Sequence, residues 1–403
     1  MRGEGFGALL SYPEAVKILK ENAPSFEKAE EVSLSEGLMR VVAEDVEASL
    51  DVPHFARAAM DGYAVLAADT FGASYQSPVK LLCLSSIKPG EIPDIEVSHG
   101  KCVRISTGAA MPAGADAVIM VEETEREGEV ILCHRAVAPQ TNVVGVGSDF
   151  AQGSVVVKAN TLLKPRHLGA LAATGVSSIR VLCRPRVTVI STGGEIVEPT
   201  DHLPIGKVFN INGITLSTAL REYGCEPIDF GDVEGDEEAL KQALKKAVND
   251  SDLVILSGGS SLGEGDIVVR VFERLGRLLF HGIAVKPGKP TSAAVIDGKL
   301  VIGLPGYPTS ALSNFYILVL PLIEQMLKVR FHIRSVKAKL AKKVLSTVGR
   351  YEFLPVRVEK GEVYPLMRGS SAISSLSLAD GFVEIPENVE VLSAGTEVEV
   401  KLF

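Results

Sequence analysis

Apolar positions recur at helical spacing between residues 12 and 22, and Pro13 suits the first turn of the helix this predicts. From Val46 to about Val146 the period shortens. Runs such as Lys101-Cys-Val-Arg-Ile105, Ala117-Val-Ile-Met-Val121 and Glu129-Val-Ile-Leu-Cys133 alternate with Gly, Pro and Asp turns, which is the pattern of a compact β-rich domain. Residues 164–175 return to a helical pattern. They are expected to pack with the N-terminal helix, which would make the β-rich segment an insertion between two halves of another domain.

The stretch 186–330 reads differently. A strand at Arg186-Val-Thr-Val-Ile190 runs into Ser-Thr-Gly-Gly-Glu195, followed by a helix near 213–223 and a strand at 226–230. A charged helix over 236–248 opens with Asp236 as its N-cap. Next come a strand at Asp252-Leu-Val-Ile-Leu256, a Gly-rich loop, a helix from Ile267 to Leu275, a strand at Leu300-Val-Ile-Gly303 and a long apolar helix. Strands alternating with helices predict βαβ units and a mostly parallel sheet, with ligands beyond the carboxyl ends of its strands. The last seventy or so residues return to short alternating strands, such as Glu352-Phe-Leu-Pro-Val-Arg-Val358, and predict a small β-barrel.

Composition narrows the function classes. Lys and Arg number 41 against 50 Asp and Glu, for a formal net charge of −9, which argues against nucleic acid as a partner. The most apolar stretch, Phe315 to Ile323, contains Pro321 and stops at Glu324, well short of the ~20 residues a membrane span needs. With no secretion signal visible, the expectation is a cytoplasmic protein without a membrane partner. Five widely spaced cysteines with no C-x-x-C pair fit neither a disulfide framework nor a zinc site.

Candidate chemistry concentrates in polar loops. Ser257-Gly-Gly-Ser-Ser-Leu-Gly-Glu-Gly-Asp266 can turn sharply and present backbone N–H groups to an anion at a helix N-terminus, without being a Walker A loop or a dinucleotide fingerprint. Lys286-Pro-Gly-Lys-Pro290 sets two ammonium groups on a stiff frame, suited to a phosphate or another oxyanion. Leu304-Pro-Gly-Tyr-Pro-Thr-Ser310 precedes a helix, with Thr309 and Ser310 available as caps. Glu195 ends another strand. Asp61-Gly62 sits between apolar residues, a pattern that also signals a hairpin turn. Acids beside Ser, Thr and carbonyl groups, with no Cys/His cluster, suit Mg²⁺. From the residues alone the reading is an acidic enzyme handling a phosphorylated or oxyanionic ligand with Mg²⁺.

Taken together and in order, Ala59-Met-Asp-Gly-Tyr-Ala-Val65, Ile105-Ser-Thr-Gly-Ala109, Ser191–Glu195, Ser257–Asp266, Lys286–Pro290 and Leu304-Pro-Gly-Tyr-Pro308 resemble the molybdopterin molybdenumtransferases, the family of MoeA and the gephyrin E domain. The resemblance covers essentially the whole chain. It implies a discontinuous helical domain (1–45 and 150–182), an inserted β-rich domain (46–149), an α/β molybdopterin-binding domain (183–332) and a C-terminal β-barrel (333–403). It further implies a homodimer with its site at the subunit interface. The implied reaction inserts molybdate or tungstate into adenylylated molybdopterin, releases AMP and forms the molybdenum cofactor.

Carried over by motif, the catalytic residues are Asp61, Thr107, Glu195 and Asp266. The pterin-binding residues are Gly258, Gly259, Ser260, Ser261, Gly263, Glu264, Lys286, Lys289, Pro305 and Ser310, and the Mg²⁺ ligands are Asp61, Glu195, Asp266 and Asp149. Three positions depart from the family pattern: Val144 stands for an Arg, Ser148 for a Glu and Gly194 for a common Asp. Two other readings compete. A molybdopterin adenylyltransferase would share the α/β part but not the β-rich domain or the barrel. A non-catalytic scaffold would share the whole fold.

Overall fold

The structure, a computed structural model, describes residues 9–258, 267–366 and 369–403. The chain forms two compact units. Glu30–Val181 is inserted into a larger unit made of Met1–Ala29 and Leu182–Phe403.

In the inserted unit a six-stranded sheet runs in the order Ala117–Met120, Gly62–Val65, Lys101–Ile105, Val79–Ile87, Val130–Cys133, Thr124–Glu127. Alternation along the strands covers both faces. Tyr63, Val65, Cys102, Ile119 and Ile131 pack on one side, and Ala64, Val103, Ile105 and Val118 on the other. A separate core gathers Val42, Val157, Leu163, Leu171, Ile179 and Val181 around the helix Pro165–Ala173. That is the one α-helix among the described residues of this unit, so short strands rather than helices dominate the segments flanking the sheet.

The N-terminal helix Tyr12–Glu21 forms where expected, with Ser11 and Glu14 closing a capping box. Its packing differs from the expectation, because its partners lie in the larger unit and not at 164–175. The Ala284 N–H donates to the Leu10 carbonyl at 2.7 Å, Gln325 Nε2 donates to the Lys20 carbonyl at 2.9 Å, and the Tyr12 ring stacks on Tyr351 at 4.0 Å. Helical periodicity specifies an apolar stripe but not which surface covers it.

The larger unit is built on a second six-stranded sheet, ordered Glu226–Val233, Arg186–Thr192, Leu253–Gly258, Lys299–Leu304, Ser292–Ile296, Gly276–His281. The first four strands are parallel, and the last two join antiparallel. Helix Glu237–Asp250 is capped by Asp236, whose Oδ1 accepts from the Glu238 and Ala239 N–H groups, a cap that contributes about 1 kcal/mol. Its Leu240, Leu244 and Val248 join Phe272 and strand residues Val254 and Leu256 in the core. The apolar helix after Leu304 is not continuous. Pro308–Asn314 passes through a π-helical segment, Phe315–Val319, into Leu320–Met326. Such wide turns loosen the regular i→i−4 ladder. Here the Ile317 carbonyl accepts from the Tyr12 hydroxyl at 3.1 Å.

The C-terminal strands close on themselves. Tyr351–Glu359 pairs with both Glu362–Pro365 and Gly381–Ile385, and Ser335–Leu340 and Glu397–Leu402 complete the ring. Closure removes the open edges, and Leu340, Leu354, Val356, Val363, Ile385 and Val400 fill the inside. A short strand, Val285–Lys286, joins this barrel by parallel pairing with Tyr351 and Glu352. No helix among the described residues is long and apolar enough to cross a membrane.

Candidate functional site

In the inserted unit the register sets the first site. Gly62 lies opposite Ile105 in an antiparallel pair, so the residues before Gly62 meet those after Ile105. Asp61 therefore meets Thr107, and its Oδ1 accepts from the Thr107 backbone N–H at 2.6 Å and from the hydroxyl at 3.1 Å. These bonds, the backbone one first, hold the exposed Asp61 carboxyl below its ordinary range, and the Arg104 charge adds to the effect. Gly62 is required by a close approach. A Cβ there would stand 1.8 Å from the Ile119 carbonyl oxygen of the neighbouring strand. The Asp-Gly pair is consequently not a hairpin turn. The strand before it, Arg57–Ala58, pairs with Val143–Val144, and Gly62–Val65 pairs elsewhere.

A third loop arrives at the same edge. The Ala59 N–H donates to the Asn142 carbonyl at 2.8 Å, and the Asp149 N–H donates to Val52 at 2.9 Å. Val144, where the resemblance calls for Arg, is the register partner of exposed Arg57, so a guanidinium remains at this edge on the facing strand.

In the larger unit the loops leave the carboxyl ends of three adjacent parallel strands, as the ligand-binding rule for such sheets requires. Gly258 adopts φ +104, and a Cβ there would stand 2.1 Å from the Thr192 carbonyl oxygen. Only glycine lets these two strand ends converge. Two buried asparagines at the start of helix Ile211–Glu222 tie the loops together. Asn210 Oδ1 accepts from Ser191 Oγ at 2.8 Å, and its Nδ2 donates to Glu198 and Asp232 at 2.9 and 3.0 Å. Asn212 Nδ2 donates to Ser257 Oγ at 2.7 Å and to the Gly306 carbonyl at 2.8 Å. Burial, together with the nearby carboxylates of Glu198 and Asp229, pushes the Asp232 carboxyl above its ordinary range.

The Lys286–Pro290 loop is held from behind. Gly288, at φ +116, leaves room for buried Asn314, whose Nδ2 donates to the Gly288 carbonyl and to Thr291 Oγ1 at 3.2 and 2.7 Å. The Ile283 N–H donates to the Lys289 carbonyl at 2.9 Å. Lys286 Nζ forms an ion pair with Glu352 Oε1 at 3.1 Å. Pro305 and Ser310 are buried, and Glu195 is exposed. Neither Thr309 nor Ser310 caps the helix after Leu304. Its N-cap position is Tyr307, without a side-chain bond, and Thr309 Oγ1 donates to the Ala372 carbonyl instead.

The sequence-derived site residues thus fall into two sets. Asp61, Thr107 and Asp149 belong to the inserted unit, whereas Glu195, Gly258, Lys286, Lys289, Pro305 and Ser310 belong to the larger one. Gly259, Ser260, Ser261, Gly263, Glu264 and Asp266 lie outside the described residues. Among the described residues no group of three or more His, Cys, Asp or Glu side chains could hold a metal ion. Sequence reasoning missed Asn210, Asn212, Asn314 and Glu352. The first two carried a usable signal, since two amides at the head of a helix near the strand ends are placed to bridge loops. Asn314 and Glu352 carried none, because each is a single polar residue at the edge of an apolar run whose partners lie far along the chain.

Comparison with known proteins follows this geometry along the chain. Residues 10–175 match the family described as the MoeA N-terminal region (domain I and II), residues 188–325 a probable molybdopterin binding domain, and residues 337–403 the MoeA C-terminal region (domain IV). The chain is 33% identical over 407 residues to a molybdopterin molybdenumtransferase of Haemophilus influenzae, covering 98% of this chain and 99% of that one. With the Bacillus subtilis protein of the same name it shares 32% identity over 387 residues, covering 93% and 90%. A solved structure titled as a molybdopterin biosynthesis MoeA protein from Pyrococcus horikosii superposes with a TM-score of 0.86 at 43% identity, over 98% of this chain and 99% of that one.

Proposed function

The chain belongs to the MoeA family, and from that premise we propose that it is a molybdopterin molybdenumtransferase. Its substrates are then adenylylated molybdopterin and molybdate or tungstate, and its products AMP and the metal-loaded cofactor. The observation that carries this reading is the full-length kinship to proteins bearing that name. The geometry supports it. Gly258 and Gly306 place loop backbones close together at the strand ends, beside a lysine loop whose frame is braced by Asn314. Backbone N–H groups suit the pterin phosphate and the AMP phosphate, and the fixed cations of the lysine loop suit a phosphate or the molybdate or tungstate oxyanion alike.

The acid set fits Mg²⁺ in the manner usual for phosphate chemistry, where one or two carboxylates share the ion with substrate oxygens and no closed protein cage exists. Asp61 is the best-placed donor, being exposed and held ionised by Thr107. Asp149, Glu195 and Asp266 are the further acids assigned by motif. When bound, the ion would polarise the phosphoanhydride as a Lewis acid. The chain's own residues do the rest: Thr107 keeps Asp61 deprotonated and oriented, and the braced loop presents Lys286 and Lys289 toward anionic groups. Following what the family resemblance implies, we place the complete site at the subunit interface of a cytoplasmic homodimer, with Asp61 and the strand-end loops contributed by opposite subunits.

The reading is tested by incubating the protein with adenylylated molybdopterin, Mg²⁺ and molybdate or tungstate. AMP release that depends on the oxyanion supports it. Formation of the adenylate from ATP would indicate the adenylyltransferase instead, and no turnover with either substrate would indicate the scaffold.

A further inference from the structure

Glu352 is a carboxylate on a barrel strand, 2% exposed. A charge that buried needs partners. One oxygen, Oε2, accepts from Ser346 Oγ at 2.8 Å, and the other pairs with Lys286 Nζ at 3.1 Å. The same two residues are also register partners in the parallel pairing of Val285–Lys286 with the barrel. Lys286 is therefore held twice, through its main chain and through its ammonium. Its side chain remains about one-third exposed (35%), and its ammonium carries three N–H donors, more than one ion pair can occupy.

We propose that Glu352 is a positioning residue for Lys286: it aims the ammonium and balances its charge until an oxyanion takes up the remaining donors. The inference rests on the reading of this loop as an oxyanion site. Glu352 acts in two opposed ways. Fixing the ammonium favours a productive geometry, and a buried negative charge just behind it repels the arriving anion. The main chain of the loop is held independently by Asn314 and Thr291, so removing the charge should release the repulsion without releasing the loop.

The experiment is calorimetric titration of the full chain with sodium tungstate, with AMP release measured alongside. Glu352→Gln should bind tungstate about tenfold more tightly, as relief of a close like charge predicts, and its KM for the oxyanion should fall together with kcat. A brace with no electrostatic role would instead lower affinity, so unchanged or weaker binding by a normally melting Glu352→Gln protein overturns the inference. Should that variant fail to fold, Glu352→Asp keeps the charge one methylene further back, and it should lower kcat with affinity equal to or tighter than that of the unsubstituted chain. Independently of any ligand, Lys286→Met should lower the melting temperature and Lys286→Met/Glu352→Gln should recover it. Failure to recover also overturns the pairing. If the unsubstituted protein binds no tungstate, the oxyanion reading of the loop falls and takes this inference with it, whereas tungstate binding with the wrong response of Glu352→Gln removes the inference alone.

Discussion

Two carboxylates show how neighbours set the chemistry of a residue. Asp61 accepts two bonds from Thr107, which stabilise its charged form. Thr107→Val keeps the backbone bond and deletes the hydroxyl, so the Asp61 pKa should rise partway toward its ordinary value. The acid limb of the pH–rate profile should then move to higher pH. Asp61→Ala should abolish oxyanion-dependent AMP release while leaving the melting temperature nearly unchanged, because an exposed acid contributes little to stability. Wild-type AMP release by that variant would remove Asp61 from the chemistry. Asp232 is shifted the other way, raised by burial and by Glu198 and Asp229. A carboxyl whose folded pKa is raised favours the folded state below its unfolded pKa, and loses that contribution as pH rises through the folded pKa. Asp232→Asn should therefore melt higher than the parent at neutral pH, with the difference closing as the pH falls toward 4 or so, the ordinary aspartate range. Melting curves across that window check the sign.

At the scale of elements, the sites are set by where strands end and how closely they approach. Gly258 is the sharpest case. An alanine there needs φ near +104 and a Cβ 2.1 Å from the Thr192 oxygen, which cannot be met without separating two adjacent strands. Gly258→Ala should cost more than the ~1 kcal/mol of an ordinary glycine replacement, and should weaken binding of molybdopterin by pushing the Gly258 backbone away from Thr192 and Gly306. Calorimetric titration and thermal unfolding separate the two effects, and a variant with parental stability and affinity would show that the convergence is dispensable. Asn210 and Asn212 act at this scale too, since each joins a helix start to a different strand end.

For the whole molecule the proposed homodimer carries the strongest consequence. Asp61 belongs to one unit and Gly258 to the other, and Asp266 is the acid that the motif beginning at Ser257 supplies. If a homodimer assembles each site from both subunits, Asp61→Ala and Asp266→Ala homodimers should each be inactive. Subunit exchange between them should restore activity, because every mixed dimer then holds one intact site and one doubly defective site. Equal mixing makes about half the dimers mixed, so roughly a quarter of the parental activity should return. Activity at background after verified exchange would place both residues in sites built from one subunit, and a monomer by light scattering would end the proposal.

Much of this was legible in the chain itself. The strand–helix alternation over 186–330, the Asp236 cap, the helix Ile267–Leu275 and the closing run of barrel strands follow from periodicity and capping, which are local properties. Six ordered motifs were enough to mark the loops. The tertiary structure decided what depends on approach between distant segments. The first helix packs within the larger unit, the Asp61-Gly62 pair meets Thr107 instead of turning a hairpin, and Lys286 faces a buried carboxylate contributed by a strand some sixty residues further on. An amphipathic pattern states that a face must be buried, and a motif states that a charge is present. Neither states what lies opposite, because the partner is chosen by the packing of all the other segments at once.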